Sequence, residues 1–192
     1  MGIKITFYRR LTMNILYYPQ VKPKKKLIKR IYIAIMLWIV GRAIQAASKV
    51  DSDVKDEFAK LNNNFCLKMW IWPNGPAMYV GKTNNGRVKY LGWKDKGYKP
   101  TLTMTIKNIE AAMLLFTFRE STAIATARNR LVVDGDLPDA CAFVRILNIV
   151  EVYLLPKIIA KLAVKRYPKW SQMAPSRKHF GRIVIYVRAF TF

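Results

Sequence analysis

The sequence predicts an α+β fold, with strands gathered into one sheet and helices covering it. Three observations predict it. Residues 101–107 (TLTMTIK) alternate strictly, placing Leu102, Met104 and Ile106 on one side and the threonines and Lys107 on the other. Asn85-Gly86 lies between two strand-like stretches and is a strong hairpin signal, since both residues tolerate positive φ. After Asn108 the apolar period lengthens from that of a strand to that of a helix.

The chain opens with a basic arm. Residues 1–50 hold eleven Lys or Arg and no acid, and the first acidic residue is Asp51. Within that arm, residues 22–30 read KPKKKLIKR and residues 31–41 read IYIAIMLWIVG, before Arg42 interrupts. Eleven apolar residues make a helix of about 17 Å, short of the roughly 30 Å hydrocarbon thickness of a bilayer. Extension to Ala47 reaches a marginal length only by carrying a charge inside. Three readings stand: an amphipathic or core-docking helix, which is preferred; a membrane-anchoring span; and a cleaved secretory signal. Under the first two, Lys22, Lys24, Lys25, Lys26, Lys29 and Arg30 would meet anionic headgroups, each contributing about 1 kcal/mol.

Residues 51–64 are polar and fit a solvated helix end or connecting turn. Residues 65–72 (FCLKMWIW) form a strand that Pro73-Asn74-Gly75-Pro76 breaks. Residues 77–82 and 86–93 form the hairpin, 94–99 a turn-rich patch, and 101–107 the alternating strand, so about four strands share one sheet. Asn108 caps a helix whose N3 position is Ala111, with Glu110 complementing the dipole. Residues 121–128 suggest a short helix and 131–133 a further strand. Gly135 turns the chain, and Asp136 caps a helix over 137–155 with Pro138 and Asp139 in its first turn. That helix is apolar on most of its circumference, leaving Asp139, Arg145, Asn148 and Glu151 as a narrow polar stripe. Pro156 ends or kinks it. Residues 157–167 form a basic amphipathic helix carrying Lys157, Lys161 and Lys165, again suited to a membrane surface. Residues 182–192 alternate like an edge strand.

The net charge of +23 is concentrated at the two ends: residues 152–192 add nine bases and no acid, whereas 51–151 hold all eleven acids against fourteen bases. The expected organisation is a basic N-terminal arm (1–50), a domain (51–170) and a basic C-terminal extension (171–192). Two cysteines and one histidine, His179, argue against a disulfide framework or a zinc site. Both thiols are expected to be buried and reduced, in keeping with a reducing compartment. Asp134, Asp136 and Asp139 lack the spacing of an EF-hand loop and read as turn and cap residues. No nucleophile elbow and no phosphate-binding loop appears, so neither an enzyme, a metal nor a cofactor is expected.

The alternating TLTMTIK, the helix NIEAAMLLF, the turn AIATAR and RLVVDGD with an apolar helix behind it together resemble the sterol carrier protein family. The resemblance spans about residues 65–155, and its most specific part is Leu131 to Asp136. It implies about five strands in a mainly antiparallel sheet covered by helices and enclosing an apolar cavity for fatty acyl, acyl-CoA or sterol-like ligands. It transfers binding positions by element: Met104 and Ile106 on a strand, Met113 and Phe116 on a helix, Leu131 and Val133 on the last strand, and Phe143, Leu147 and Val150 behind it. It carries no catalytic constellation.

The expected function is therefore non-enzymatic binding or transfer of an apolar lipid at anionic membrane surfaces, by a cytoplasmic protein peripherally associated with the membrane or anchored through its N-terminal segment. Nucleic-acid binding is the rival from another class. It is disfavoured because the strands carry few bases beyond Lys68, Lys82, Arg87, Lys89 and Lys107. A structural subunit of a membrane complex is the third reading.

Overall fold

The structure is a computed structural model that describes residues 26–83, 85–154, 181 and 183–188. It begins with helix α1 (Leu27–Val50), which runs straight through Arg42. Ile33, Leu37, Gly41 and Ile44 recur at helical spacing along the buried face, while Ala43, Ala46 and Ala47 let the last turns approach their neighbours closely. The core-docking reading of this segment is the one observed. Among the described residues no helix is long and apolar enough to cross a membrane, because Arg42, Gln45, Ser48 and Lys49 dilute the apolar run. Residues 27–50 thus share the core of the domain expected to begin at residue 51. Gly41 is the point of closest approach: a Cβ there would lie 2.5 Å from Tyr90 Cδ2.

Asp51 ends α1 and starts α2 (Ser52–Lys60), its side chain accepting from the Asp53 and Val54 backbone N–H groups. What the sequence suggests as a helix end or turn is thus a separate helix, and it buries Val54 and Phe58.

Five strands follow: β1 (Cys66–Ile71), β2 (Ala77–Lys82), β3 (Val88–Gly92), β4 (Leu102–Ile106) and β5 (Leu131–Gly135). They form one sheet in the order β3-β2-β1-β4-β5, antiparallel throughout except for the central β1–β4 pair. The mainly antiparallel, five-stranded α+β arrangement expected from the sequence is the one observed. Register explains its two faces. Met78, Met69, Met104 and Val133 lie in one row across four strands, with Ile71, Ile106 and Leu131 in the next. The side chains of those rows belong to the core or pack directly against it. On the opposite face Trp70 Nε1 donates to Thr105 Oγ1 at 2.9 Å, and Lys68 sits over the Trp70 and Tyr79 rings. The Tyr79 hydroxyl donates to Asp95; burial and that carboxylate push its pKa up to about 12.

Helix α3 (Ile109–Phe116) follows β4, with the Asn108 side chain accepting from Ala111 N at 2.8 Å as the sequence predicts. Helix α4 (Thr122–Ala127), capped by Ser121, leads into β5. At Gly135, where φ is +131°, a Cβ would lie 2.5 Å from the Thr101 carbonyl oxygen, so only glycine fits this exit from the strand. The last long helix is α5 (Leu137–Leu154).

Along the narrow polar stripe of α5, Asp139 is buried and one carboxylate oxygen of Glu151 is enclosed. Two expectations are corrected. Cys141 is exposed rather than buried, because it lies on the outer side of α5; Cys66 is buried in β1. Gly181 and residues 183–188 are helical rather than an edge strand, with Ile185 buried against the core and Tyr186 donating to the Leu154 carbonyl at 2.5 Å. Pro156 and the expected basic helix over 157–167 lie outside the described residues.

Candidate functional site

A cavity of about 250 Å³ lies between the sheet and the helices. Its floor is built by Met69 of β1, Ile106 of β4 and Leu131 of β5. Period-2 alternation is what sends these three to one face. Helix α1 contributes Met36, Ile39 and Val40, α3 contributes Leu115 and Phe116, and α5 contributes Leu147, Val150, Glu151 and Leu154. Phe118, Thr122 and Tyr186 complete the wall.

Of the nine positions expected to meet a ligand, five line this cavity: Ile106, Phe116, Leu131, Leu147 and Val150. The other four are elsewhere in the same core. Met104 is fully buried within the sheet, and Phe143 is fully buried 6.4 Å from Phe65, ring centre to ring centre. Met113 and Val133 pack partly buried against the core. The resemblance assigns positions by element, and a strand or helix sends only some of its apolar residues toward any one space. The α1 residues are additional to the nine. Their only signal is the apolar run 31–41, which is equally compatible with a membrane segment until its packing is known.

Glu151 is the chemically distinctive member of the wall. Its Oε2 is buried and has no hydrogen-bond partner among the described residues, and burial pushes the carboxyl up to about 7. Two polar neighbours share the wall: the Thr122 hydroxyl and the Tyr186 hydroxyl, the latter already given to Leu154. Such a cavity can hold an apolar molecule and meet one polar group on it. Among the described residues no three His, Cys, Asp or Glu side chains come together as a metal site.

The basic residues expected at a membrane are partly engaged within the chain. Lys26 and Lys29 both reach Glu110, at 2.5 and 2.7 Å, and their hydrogen bonds hold its carboxyl below the usual range. Arg30 donates to the Asn74 carbonyl oxygen. Lys22, Lys24, Lys25, Lys157, Lys161 and Lys165 lie outside the described residues.

No family model and no curated protein matches the sequence. Solved structures do match the fold. The chain is similar to sterol carrier protein domains. The UbiJ-SCP2 ubiquinone synthesis protein aligns over 67% of this chain and 99% of its own, with 16% identity and a TM-score of 0.39. Sterol carrier protein 2 from Yarrowia lipolytica, in its apo form, aligns over 59% and 88%, with 16% identity and a TM-score of 0.41. The sterol carrier protein domain 2 of Helicoverpa armigera aligns over 57% and 84%, with 20% identity and a TM-score of 0.38.

Proposed function

We propose that this protein binds an apolar lipid in the cavity between α1, α5 and the sheet, and takes it up or releases it at anionic membrane surfaces without transforming it. The observation that carries this reading is the cavity itself: about 250 Å³ of space, walled almost wholly by aliphatic and aromatic side chains. That volume exceeds the roughly 150 Å³ of an apolar cavity that stays dry and accepts benzene. Each methylene moved there from water contributes about 0.8 kcal/mol.

The membrane half of the proposal is supported by the outer side of α1. Ile28, Ile31, Ile35 and Trp38 recur at intervals of three and four, all substantially exposed. Ile31 and Arg30 share a shallow depression with Trp93 and Lys94, and Trp93 is 66% exposed. Exposed isoleucines and tryptophans beside cations suit the headgroup boundary of a bilayer. Since α1 also supplies Met36, Ile39 and Val40 to the cavity, docking this face would bring the cavity wall within about one helix diameter, 10–12 Å, of the membrane.

The test is native mass spectrometry of the full chain purified without detergent, paired with vesicle flotation. A co-purified lipid mass, and binding to anionic but not neutral vesicles, are the expected results. A protein that stays empty when offered alkanes, alcohols and fatty acids would overturn the cavity reading. Indifference to anionic vesicles would overturn the membrane half alone.

A further inference from the structure

A second depression, of about 660 Å³, lies at the C-terminal end of α1 and shares no lining residue with the apolar cavity. Three parts of the chain meet there, and each brings a cation. Lys49 comes from the last turn of α1, Lys55 from α2, and Lys82 and Arg87 from the β2–β3 hairpin. None of the chain's eleven acids lines it. Residues 51–151 hold those eleven acids against fourteen bases, so a wall of cations without one acid departs locally from near balance.

Lys82 is held in place. Its Nζ donates to the carbonyl oxygens of Phe58 and Leu61 at 3.0 and 2.7 Å, closing the C-terminal end of α2. An ammonium has three donors, so one remains. The hairpin tip is fixed as well: the Thr83 N–H and hydroxyl both donate to the Arg87 carbonyl, at 2.8 and 3.0 Å. Capping explains Lys82, and the dipole of α1 explains Lys49. Neither explains the other two. Lys55 is the fourth residue of α2, toward the end where a cation opposes the dipole. Lys55 and Arg87 are exposed, and among the described residues neither side chain enters an ion pair.

We propose that this depression binds a phosphate ester in its dianionic form. The second pKa of such an ester is about 6, so it is a dianion at neutral pH. The Arg87 guanidinium can pair with two phosphate oxygens at once, and the lysines act as point charges around them. A carboxylate would leave most of the positive charge unanswered. The volume falls within the roughly 300–1,000 Å³ of small-molecule sites, which leaves room for the organic part of the ester. Phe58 and Val88, both buried, give that part an apolar base, and Asn63 adds an amide. The phosphate belongs to a soluble ester or to a lipid headgroup, and the recognition chemistry is the same for both. The proposal does not rest on the apolar cavity or on the outer face of α1.

The experiment is calorimetric titration of the full chain with glycerol 3-phosphate and with glycerate at fixed ionic strength. It is paired with flotation on vesicles of phosphatidate or phosphatidylglycerol matched in surface charge. Saturable binding of glycerol 3-phosphate, about tenfold tighter than glycerate, is expected from hydrogen bonds to a charged group. The double variant Lys55→Ala/Arg87→Ala is expected to lose about tenfold or more in that affinity. Lys107→Ala, which removes an exposed cation outside the depression, is expected to bind like the parent. Melting curves without ligand confirm that the variants fold. A preference for phosphatidate that the double variant loses assigns the site to a headgroup; binding of glycerol 3-phosphate without that preference assigns it to a soluble ester. The proposal is overturned if the chain shows neither, if the double variant binds like the parent, or if Lys107→Ala loses as much.

Discussion

The Tyr153 hydroxyl donates to Oδ2 of Asp51 while Oδ1 of the same carboxylate accepts from the backbone N–H groups of Asp53 and Val54 at 2.8 and 3.1 Å. One buried carboxylate therefore caps α2 and ties the corner between α1 and α2 to α5, 102 residues later in the chain. Tyr153→Phe leaves that oxygen buried without its donor and should lower stability by about 1–3 kcal/mol. Asp51→Ala loses the cap as well, which adds about 0.5–2 kcal/mol. Urea unfolding of the two variants measures both. A Tyr153→Phe protein as stable as the parent would show that the tyrosine contact contributes nothing.

The stability of the protein should fall as pH rises through neutrality because of Glu151. Its folded pKa of about 7 lies above the ordinary value of 4.5, so the folded state holds the proton more tightly. The stability that this proton confers is fully present below pH 4.5 and is lost as pH rises toward and past about 7. A shift of this size corresponds to roughly 3 kcal/mol. Glu151→Gln should accordingly be more stable than the parent at pH 8 and nearly equal to it at pH 4.5. Parallel melting curves at the two pH values decide the matter, and a constant difference would show that another group titrates.

Gly135→Ala should cost about 2–3 kcal/mol, combining a positive φ with a methyl group forced into the Thr101 carbonyl. Gly97→Ala is the comparison. It also has positive φ, but a Cβ there would meet nothing within 4 Å, so only the backbone cost applies. Equal losses at the two sites would mean that the close approach to Thr101 is relieved by a small movement of β4.

Ile31→Asp should weaken binding to anionic vesicles without unfolding the protein, since Ile31 is 52% exposed and contributes little to the core. Losing an apolar contact and adding an anion both act against docking, and a reduction of about tenfold or more is expected. Co-sedimentation reads the outcome, with circular dichroism confirming that the helix persists. Unchanged sedimentation would remove α1 from the membrane contact.

The two thiols should differ in reactivity. Cys141 is exposed and should react quickly with a thiol reagent, whereas Cys66 is buried and its pKa is pushed up by burial and then by Asp95. One thiol titrated in the native state and two after denaturation is the expected count; two fast thiols would show that β1 opens readily.

Strands β1, β2, β3 and β4 are legible in the sequence because a half-buried strand must alternate and a hairpin needs residues that tolerate positive φ. Asn108, with its acceptor side chain three residues before the Ala111 N–H, announces α3 for an equally local reason. The partition of the cavity is not legible in the same way. Ile106 and Met104 occupy the same face of β4, yet only Ile106 lines the cavity. Alternation points both residues toward the helices; where α1 and α5 leave space above the strand rather than fill it is set by how those helices pack.

The sequence by itself determined the α+β class, the order of strands and helices from β1 to α5, the cap at Asn108, and the concentration of cations at both ends. These depend on periodicity, turn chemistry and composition, which act over a few residues. Only the tertiary structure decided that residues 27–50 pack as a core helix rather than cross a bilayer, that Gly41 lies against Tyr90, and that Glu151 carries an enclosed oxygen on the wall of an apolar cavity. Each of those depends on what arrives from a distant part of the chain. An apolar run buries itself against whatever apolar surface is available, and its own residues do not specify whether that surface is lipid or protein.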